Sequence, residues 1–379
     1  HPLGCSGAME RWLVACCGAA AAATLVLAWR RRATALRRLR VPYDEFSMFH
    51  ENAQEQGIPY DQSPQVCRKT VALPGPDNRK ISALVWGDAA PQIVLLHGGA
   101  QNAHTWDTVA LALGLPLVAI DLPGHGHSDD AAAAAVAMAD PVSAAADVAH
   151  AIDALAPSAA IVVGMSFGGL TAIVLSQQRP DLVRRLALVD VTPGVTRGKA
   201  AHILDFIQGP ASFDSFEAML EFTVRYNPTR SRASLRRGLL HNARQREDGS
   251  WVWRHARSRA VGEAEAPAAV SPKPSPTSAP PRRSTPRSSG VEEGGVEEGA
   301  RGEEARGAAM WEALGALKAP CLLVRGMRSS SVVDDADEAE LRARLPTARV
   351  ERLDAGHSVQ GDAPVALAQA IASFLPPSG

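Results

Sequence analysis

Five short, uniformly apolar runs, at 93–96, 117–120, 159–163, 186–189 and 321–324, alternate along the chain with segments of helical character. A strand that is apolar at every residue has both faces buried, and a parallel sheet covered by helices on either side provides that environment. The pattern therefore predicts an α/β fold with a mostly parallel central sheet and helices on both faces. Upstream, 66–72 and 80–86 flank a Pro-Gly-Pro-Asp-Asn stretch and read as an antiparallel hairpin. In such sheets ligands bind beyond the carboxyl ends of the strands. Polar residues gathered at those ends are thus the candidate chemistry.

Four of the predicted strand ends carry such residues. His97-Gly98-Gly99-Ala100 follows the first parallel strand, the stretch from Asp121 through His125 and His127 to Ser128 follows the second, Gly164-Met165-Ser166-Phe167-Gly168 ends the third, and Asp190 ends the fourth. Near the C-terminus, Asp354-Ala355-Gly356-His357-Ser358 follows the run at 348–353. A serine between strand and helix sits on a sharp turn with strained backbone angles. Side chains two residues before and after it would strike the neighbouring strand and helix, so glycine is needed at both places. The helix start also aims free N–H groups at any anion formed beside the hydroxyl.

Together these residues resemble the α/β-hydrolase superfamily with a serine nucleophile, over roughly 66–375 apart from one insertion. The resemblance implies Ser166 as nucleophile and His357 as general base, because the Gly-His follows the last predicted strand and serine precedes histidine in the chain. It also implies backbone N–H donors at Gly99 and Phe167 for the oxyanion. His125 and His127 belong to the Pro-Gly-His-Gly turn and are expected to hold that loop, His97 to stabilise the loop after its own strand, and Trp106 to pack the following helix. Most superfamily members carry the acid a few residues past the glycine corresponding to Gly326. Here that stretch reads Met327-Arg328-Ser329-Ser330-Ser331 and holds no carboxylate. Some members carry it directly after the preceding strand, which favours Asp190 over Asp334 or Asp335.

The resemblance also places a lid where the sheet pattern is interrupted. An inserted helical cap is expected over 192–262 and again over 308–318, with helical character at 205–226 and a short hairpin around Asp248-Gly249-Ser250 and Trp251. Between them, 263–307 is proline- and serine-rich and then repeats Val-Glu-Glu-Gly, a composition that cannot offset its own ordering entropy and reads as disordered. The remaining boundaries are a linker at 41–65, a first core segment at 66–191 and a second at 319–379. Met9 reads as the initiator. An uncharged run at 12–29, closed by Arg30, Arg31 and Arg32, is about 27 Å long as a helix. It reads as a membrane anchor whose C-terminal side faces the cytoplasm, or as part of an organelle transit peptide, since seven arginines and one acidic residue lie between Met9 and Arg40.

Composition narrows the function further. A net charge of −1 gives no electrostatic reason to expect nucleic acid. The five cysteines, Cys5, Cys16, Cys17, Cys67 and Cys321, show neither zinc spacing nor a disulfide framework, and the eleven histidines form no His-Glu-x-x-His unit. No cofactor or metal is expected. Serine rather than aspartate at the turn points to acyl transfer on an ester, lactone or thioester, with a small acyl substrate as partner. Two alternatives stay open: hydrolysis of a carbon-carbon bond by the same residues, and a non-catalytic binding or scaffold protein on this fold.

Overall fold

The computed structural model describes residues 41–130, 140–255 and 293–377. Its strands are β1 (Val66–Ala72), β2 (Lys80–Trp86), β3 (Ile93–Leu96), β4 (Leu117–Asp121), β5 (Ile161–Met165), β6 (Leu186–Val189), β7 (Ser212–Phe213), β8 (Ala243–Gln245), β9 (Trp251–Trp253), β10 (Cys321–Gly326) and β11 (Arg349–Leu353). Eight of them form one sheet in the order β1-β2-β4-β3-β5-β6-β10-β11. The β1–β2 hairpin and the β2–β4 pair are antiparallel, and every other neighbour is parallel.

The uniform apolarity of the central strands has a direct structural cause. Alternate residues point to opposite faces, so Val94, Leu96, Val162, Leu188 and Leu323 enter one core, while Ile93, Leu95, Val163, Val189 and Val324 enter the other. Helices Pro141–Leu155, Phe167–Gln178 and Asp335–Arg344 cover the first face. Helices Phe49–Gln56, Asp107–Leu113 and Pro364–Ala372 cover the second. Cys321 belongs to this packing: its thiol is buried and desolvation pushes its pKa up to about 12. The edge strand β11 carries three charges, Arg349, Glu351 and Arg352, in five residues, and charge on an edge discourages pairing with another chain. The strand order reverses around β3, which makes the crevice beyond β3 and β5 the place where this topology holds a ligand.

Residues 201–253 build a separate layer with its own core. Met219, Leu220, Phe222, Leu235, Leu239, Trp251 and Trp253 pack together, and β7, β9 and β8 form a three-stranded antiparallel sheet. The helical stretch anticipated at 205–226 is two helices, Ala201–Ile207 and Phe216–Tyr226. Gly209 and Pro210 break it, and a side chain at 209 would meet the Phe222 ring at 2.3 Å.

Three boundaries differ from the sequence expectation. The stretch at 41–65 is not a bare linker: it holds helix Phe49–Gln56, with Phe49 buried against Trp86 at 4.9 Å between ring centroids. Its apolar stripe is only Phe46, Phe49 and Ala53, at i, i+3 and i+7, too short to stand out among polar neighbours. Within 263–307, residues from 293 onward are the first part of helix Glu293–Gly315. The glutamate and alanine content there favours a helix once its end has a surface to pack on. That surface is the main core, since Trp311, Ala313 and Leu314 are buried with residues of helix Phe167–Gln178. Residues 308–318 therefore pack as part of the core layer and not with the 201–253 unit. The runs at 12–29 and 263–292 lie outside the described residues. Among the described residues no helix is long and apolar enough to cross a membrane.

Candidate active site

Strand β5 ends at Met165 and helix Phe167–Gln178 begins two residues later, leaving Ser166 at the apex with φ 51° and ψ −119°. Positive φ is costly for a non-glycine residue and persists only where surroundings enforce it. Here Ser166 N–H donates to the Val189 carbonyl, and the Ser166 carbonyl accepts from Gly169 and Leu170. The flanking glycines are sterically required. A Cβ on Gly164 would stand 2.4 Å from the Gly168 carbonyl oxygen, and one on Gly168 would stand 2.4 Å from that of Leu96. Gly168→Ala is expected to cost about 1–3 kcal/mol of stability by urea unfolding, because backbone on both sides must separate.

Asp190 occupies the adjacent strand end. Met165 pairs with Val189, so Ser166 and Asp190 are the next residues on neighbouring parallel strands. Asp190 also adopts positive φ, 45°, and its side chain is fully buried. Four donors converge on the carboxylate: Gly326 N–H at 2.9 Å and Ser331 Oγ at 2.6 Å on Oδ1, Val332 N–H at 3.1 Å and His357 Nδ1 at 2.9 Å on Oδ2. The His357 loop approaches this closely because position 326 is glycine. A Cβ there would lie 2.6 Å from the Gly356 carbonyl. With Nδ1 donating to Asp190, Nε2 of His357 is left as the proton acceptor.

The two other carboxylates considered from sequence are occupied elsewhere. Asp334 caps helix Asp335–Arg344 by accepting from Asp337 N–H and pairs with Lys199. Asp335 is 96% exposed and pairs with Arg325. The structure thus brings His357 to Asp190 and to neither of them.

Donors lie across the turn. Phe167 N–H opens its helix, and neither it nor Gly99 N–H has a protein acceptor among the described residues. The Gly99 loop is braced by two histidines acting in the same tautomer. His97 Nδ1–H donates to the Gly98 carbonyl while Nε2 accepts from Leu122 N–H; His125 Nδ1–H donates to the Pro123 carbonyl while Nε2 accepts from Ala100 N–H at 3.0 Å. Burial, then the neighbouring His125, depresses the His97 pKa to about 3, so His97 keeps this arrangement at neutral pH. His127 is exposed and contributes its backbone N–H to Asp121. Trp106 is fully buried in the second core.

Sequence reasoning missed how the 201–253 unit attaches to this loop. Asn242 Nδ2 donates to the Ala100 carbonyl at 2.6 Å, and Asn102 Nδ2 donates to the His241 carbonyl at 3.1 Å. Beneath them lies a buried ionic network. His104 Nδ1 donates to Asp107 at 2.9 Å and Nε2 to Glu45 at 3.0 Å, while Tyr43 hydrogen-bonds to His241 Nδ1 at 2.9 Å. The only local signal was the i, i+3 spacing of His104 and Asp107; His241 and Glu45 are far away in the chain. His104, Asp107 and His241 have the residue types of a metal site, with ligand atoms within 4.8 Å of one another. Yet the two imidazoles stack at 3.8 Å with planes 9° apart. Lone pairs lie in the ring planes, so stacked parallel rings do not converge on one ion, and the cluster is an ion-pair network.

Burial opposes charge on His104, but Asp107 and Glu45 overcome it and raise its pKa from 6.5 to about 9. A raised histidine pKa stabilises the fold fully below pH 6.5, and the contribution is lost as pH rises through 9. Asp107→Asn should cost about 3–5 kcal/mol near neutral pH and flatten the alkaline fall in stability. Urea unfolding at roughly pH 7 and roughly pH 10 checks both effects.

A cavity of about 650 Å3 adjoins this machinery, lined by Gly99, Ser330 and His357 from the sheet side and by Phe206, Tyr226 and Leu239 from the 201–253 unit. That volume suits a small organic molecule. The 201–253 unit forms one of its walls, and the cavity remains partly open to solvent.

Comparison with known proteins agrees with this architecture. Esterase Rv0045c of Mycobacterium tuberculosis is 38% identical over 342 residues, covering 88% of this chain and 96% of that protein. A crystal structure of that esterase superposes with a TM-score of 0.65, at 38% identity, covering 88% of this chain and 98% of the other. A pimeloyl-[acyl-carrier protein] methyl ester esterase of Neisseria meningitidis is 39% identical over 103 residues, 27% of this chain and 36% of the relative. Residues 91–364 match the sequence profile of the alpha/beta hydrolase fold. With the sheet order, the serine turn at β5 and these similarities together, the chain belongs to the alpha/beta hydrolase family.

Proposed function

We propose that this ester hydrolase works through an acyl-enzyme on Ser166, with His357 as base, Asp190 as its carboxylate partner and Gly99 and Phe167 as oxyanion donors. The observation that carries the reading is the Asp190–His357 hydrogen bond of 2.9 Å, one strand over from the strained Ser166. A serine hydroxyl is a weak nucleophile until a base takes its proton during attack. Ser166 Oγ attacks the ester carbonyl as His357 Nε2 accepts the proton. The carbonyl oxygen becomes an oxyanion beside the N–H groups of Gly99 and Phe167. Collapse breaks the bond to the alcohol oxygen, which leaves with the proton from His357. Water then attacks the acyl-enzyme by the same route and releases the carboxylic acid. Asp190 holds the imidazole tautomer and stabilises the imidazolium in both steps.

Residues 201–253 act as the cap. Their cavity-facing side chains are mainly apolar near Phe206, Tyr226 and Leu239, which suits the chain of an ester and keeps bulk water away from the acyl-enzyme. A panel of 4-nitrophenyl esters of increasing acyl length, together with labelling by a fluorophosphonate, tests the reading. Turnover of the panel and labelling of the wild type are expected. A folded protein that neither turns over any ester nor takes the label would overturn it.

A further inference from the structure

Three arginines line the cavity, and two of them are matched by carboxylates. Arg237 pairs with Glu55 and donates to Asn52 at 2.7 Å; Arg328 makes a two-pronged pair with Asp354 and lies 3.7 Å from Asp362. Arg230 differs. Its side-chain hydrogen bond goes to the Ser234 hydroxyl at 2.8 Å, and its Nε is buried with no acceptor. Among the described residues no carboxylate lies within ion-pair distance of it. Asp362, the acidic group whose charge it feels, is turned toward Gly356 N–H at 2.8 Å and toward Arg328. Burial pulls the Arg230 pKa down, yet a guanidinium does not give up its proton in a protein. A half-buried cation without a counter-charge is less favourable than one in water, and an anion arriving in the cavity would relieve it.

The seat of this guanidinium is built. It lies against the backbone of Gly361, where a Cβ would come within 2.8 Å of both Cζ and Nη1, so glycine at 361 makes room for it. Gly361 stands four residues after His357, in the short helix Val359–Asp362, with Gly361 N–H donating to the Ser358 carbonyl. Arg230, Gly361 and His357 all line the same cavity. A planar guanidinium on the wall that also carries the base suits a carboxylate, which accepts charge-assisted hydrogen bonds from it.

We infer that Arg230 is an anion subsite of the substrate cavity, and that the preferred substrates are esters carrying a free carboxylate a few atoms from the scissile bond. The inference rests on the acyl-transfer reading of the same cavity. Either half of the ester can bear the carboxylate, so two substrate pairs are compared. One pair is the mono-4-nitrophenyl ester of glutaric acid against its methyl-capped neutral form. The other is the butyryl ester of 4-hydroxybenzoic acid against that of methyl 4-hydroxybenzoate. In the wild type, kcat/KM should favour the acid in at least one pair by tenfold or more. Arg230→Gln should bring that acid-to-neutral ratio down to about one, mainly through KM, and Arg230→Lys should recover part of it. Thermal melts of both variants establish that they are folded. A wild type without preference in either pair, or a ratio unmoved by Arg230→Gln, overturns the subsite while neutral-ester turnover and fluorophosphonate labelling leave the hydrolase reading standing. Loss of turnover and of labelling in the wild type would overturn both.

Discussion

Ser166→Ala is expected to lower kcat on its best ester by roughly a millionfold, to the residual rate that binding and the oxyanion donors alone can supply. In the proposed mechanism a nucleophile cannot be replaced by its supports: without Oγ no acyl-enzyme can form, and His357 has no hydroxyl proton to accept. The fold should tolerate the change. Alanine keeps the Cβ already present at the strained φ of 51°, and the turn is held by backbone bonds from Ser166 to Val189, Gly169 and Leu170. The variant should therefore melt near the wild type yet fail to take a fluorophosphonate. Equal labelling of both proteins would place the reactive group elsewhere.

Asp190→Asn should lower kcat by roughly ten-thousandfold. The amide can donate where the carboxylate only accepts, so two of the four donors would face another donor: Gly326 N–H and Ser331 Oγ, or Val332 N–H and His357 Nδ1. The imidazole would then turn or take the other tautomer, and the forming imidazolium would lose its counter-charge. Stability should also fall, because Gly326, Ser331 and Val332 anchor the loop after β10 on this same carboxylate. Asp334→Asn and Asp335→Asn serve as the comparison: turnover should stay within a few-fold of wild type in both. A large loss at either, with little change at Asp190, would reverse the assignment.

The sheet was legible because its strands are buried on both sides. A run such as 186–189 cannot alternate in polarity when Leu188 enters one core and Val189 the other. The serine turn was legible for a comparable reason: a Cβ at Gly164 or Gly168 would come within 2.4 Å of a backbone oxygen, which leaves no alternative to glycine. Helix Phe49–Gln56 was not legible, since its stripe is three residues long and its burial depends on Trp86 and on the neighbouring helix Asp107–Leu113. Neither was the attachment of residues 308–318 to the main core. Trp311 and Leu314 would fit an apolar surface on either layer, and only packing selects one.

By itself the sequence determined the fold class, the strands of the central sheet, and the residue types standing at the strand ends, because these follow from local periodicity and from steric demands within a few residues. The tertiary structure decided which distant groups meet. It put Asp190 rather than Asp334 against His357, across a separation of 167 residues. It stacked His241 on His104 where the 201–253 unit meets the loop after β3, and among the described residues it left Arg230 without a carboxylate while supplying Arg237 and Arg328 with theirs. Such pairings depend on which loops close over the sheet, and the energy that selects them comes from burial and charge in three dimensions, which no local stretch of residues encodes.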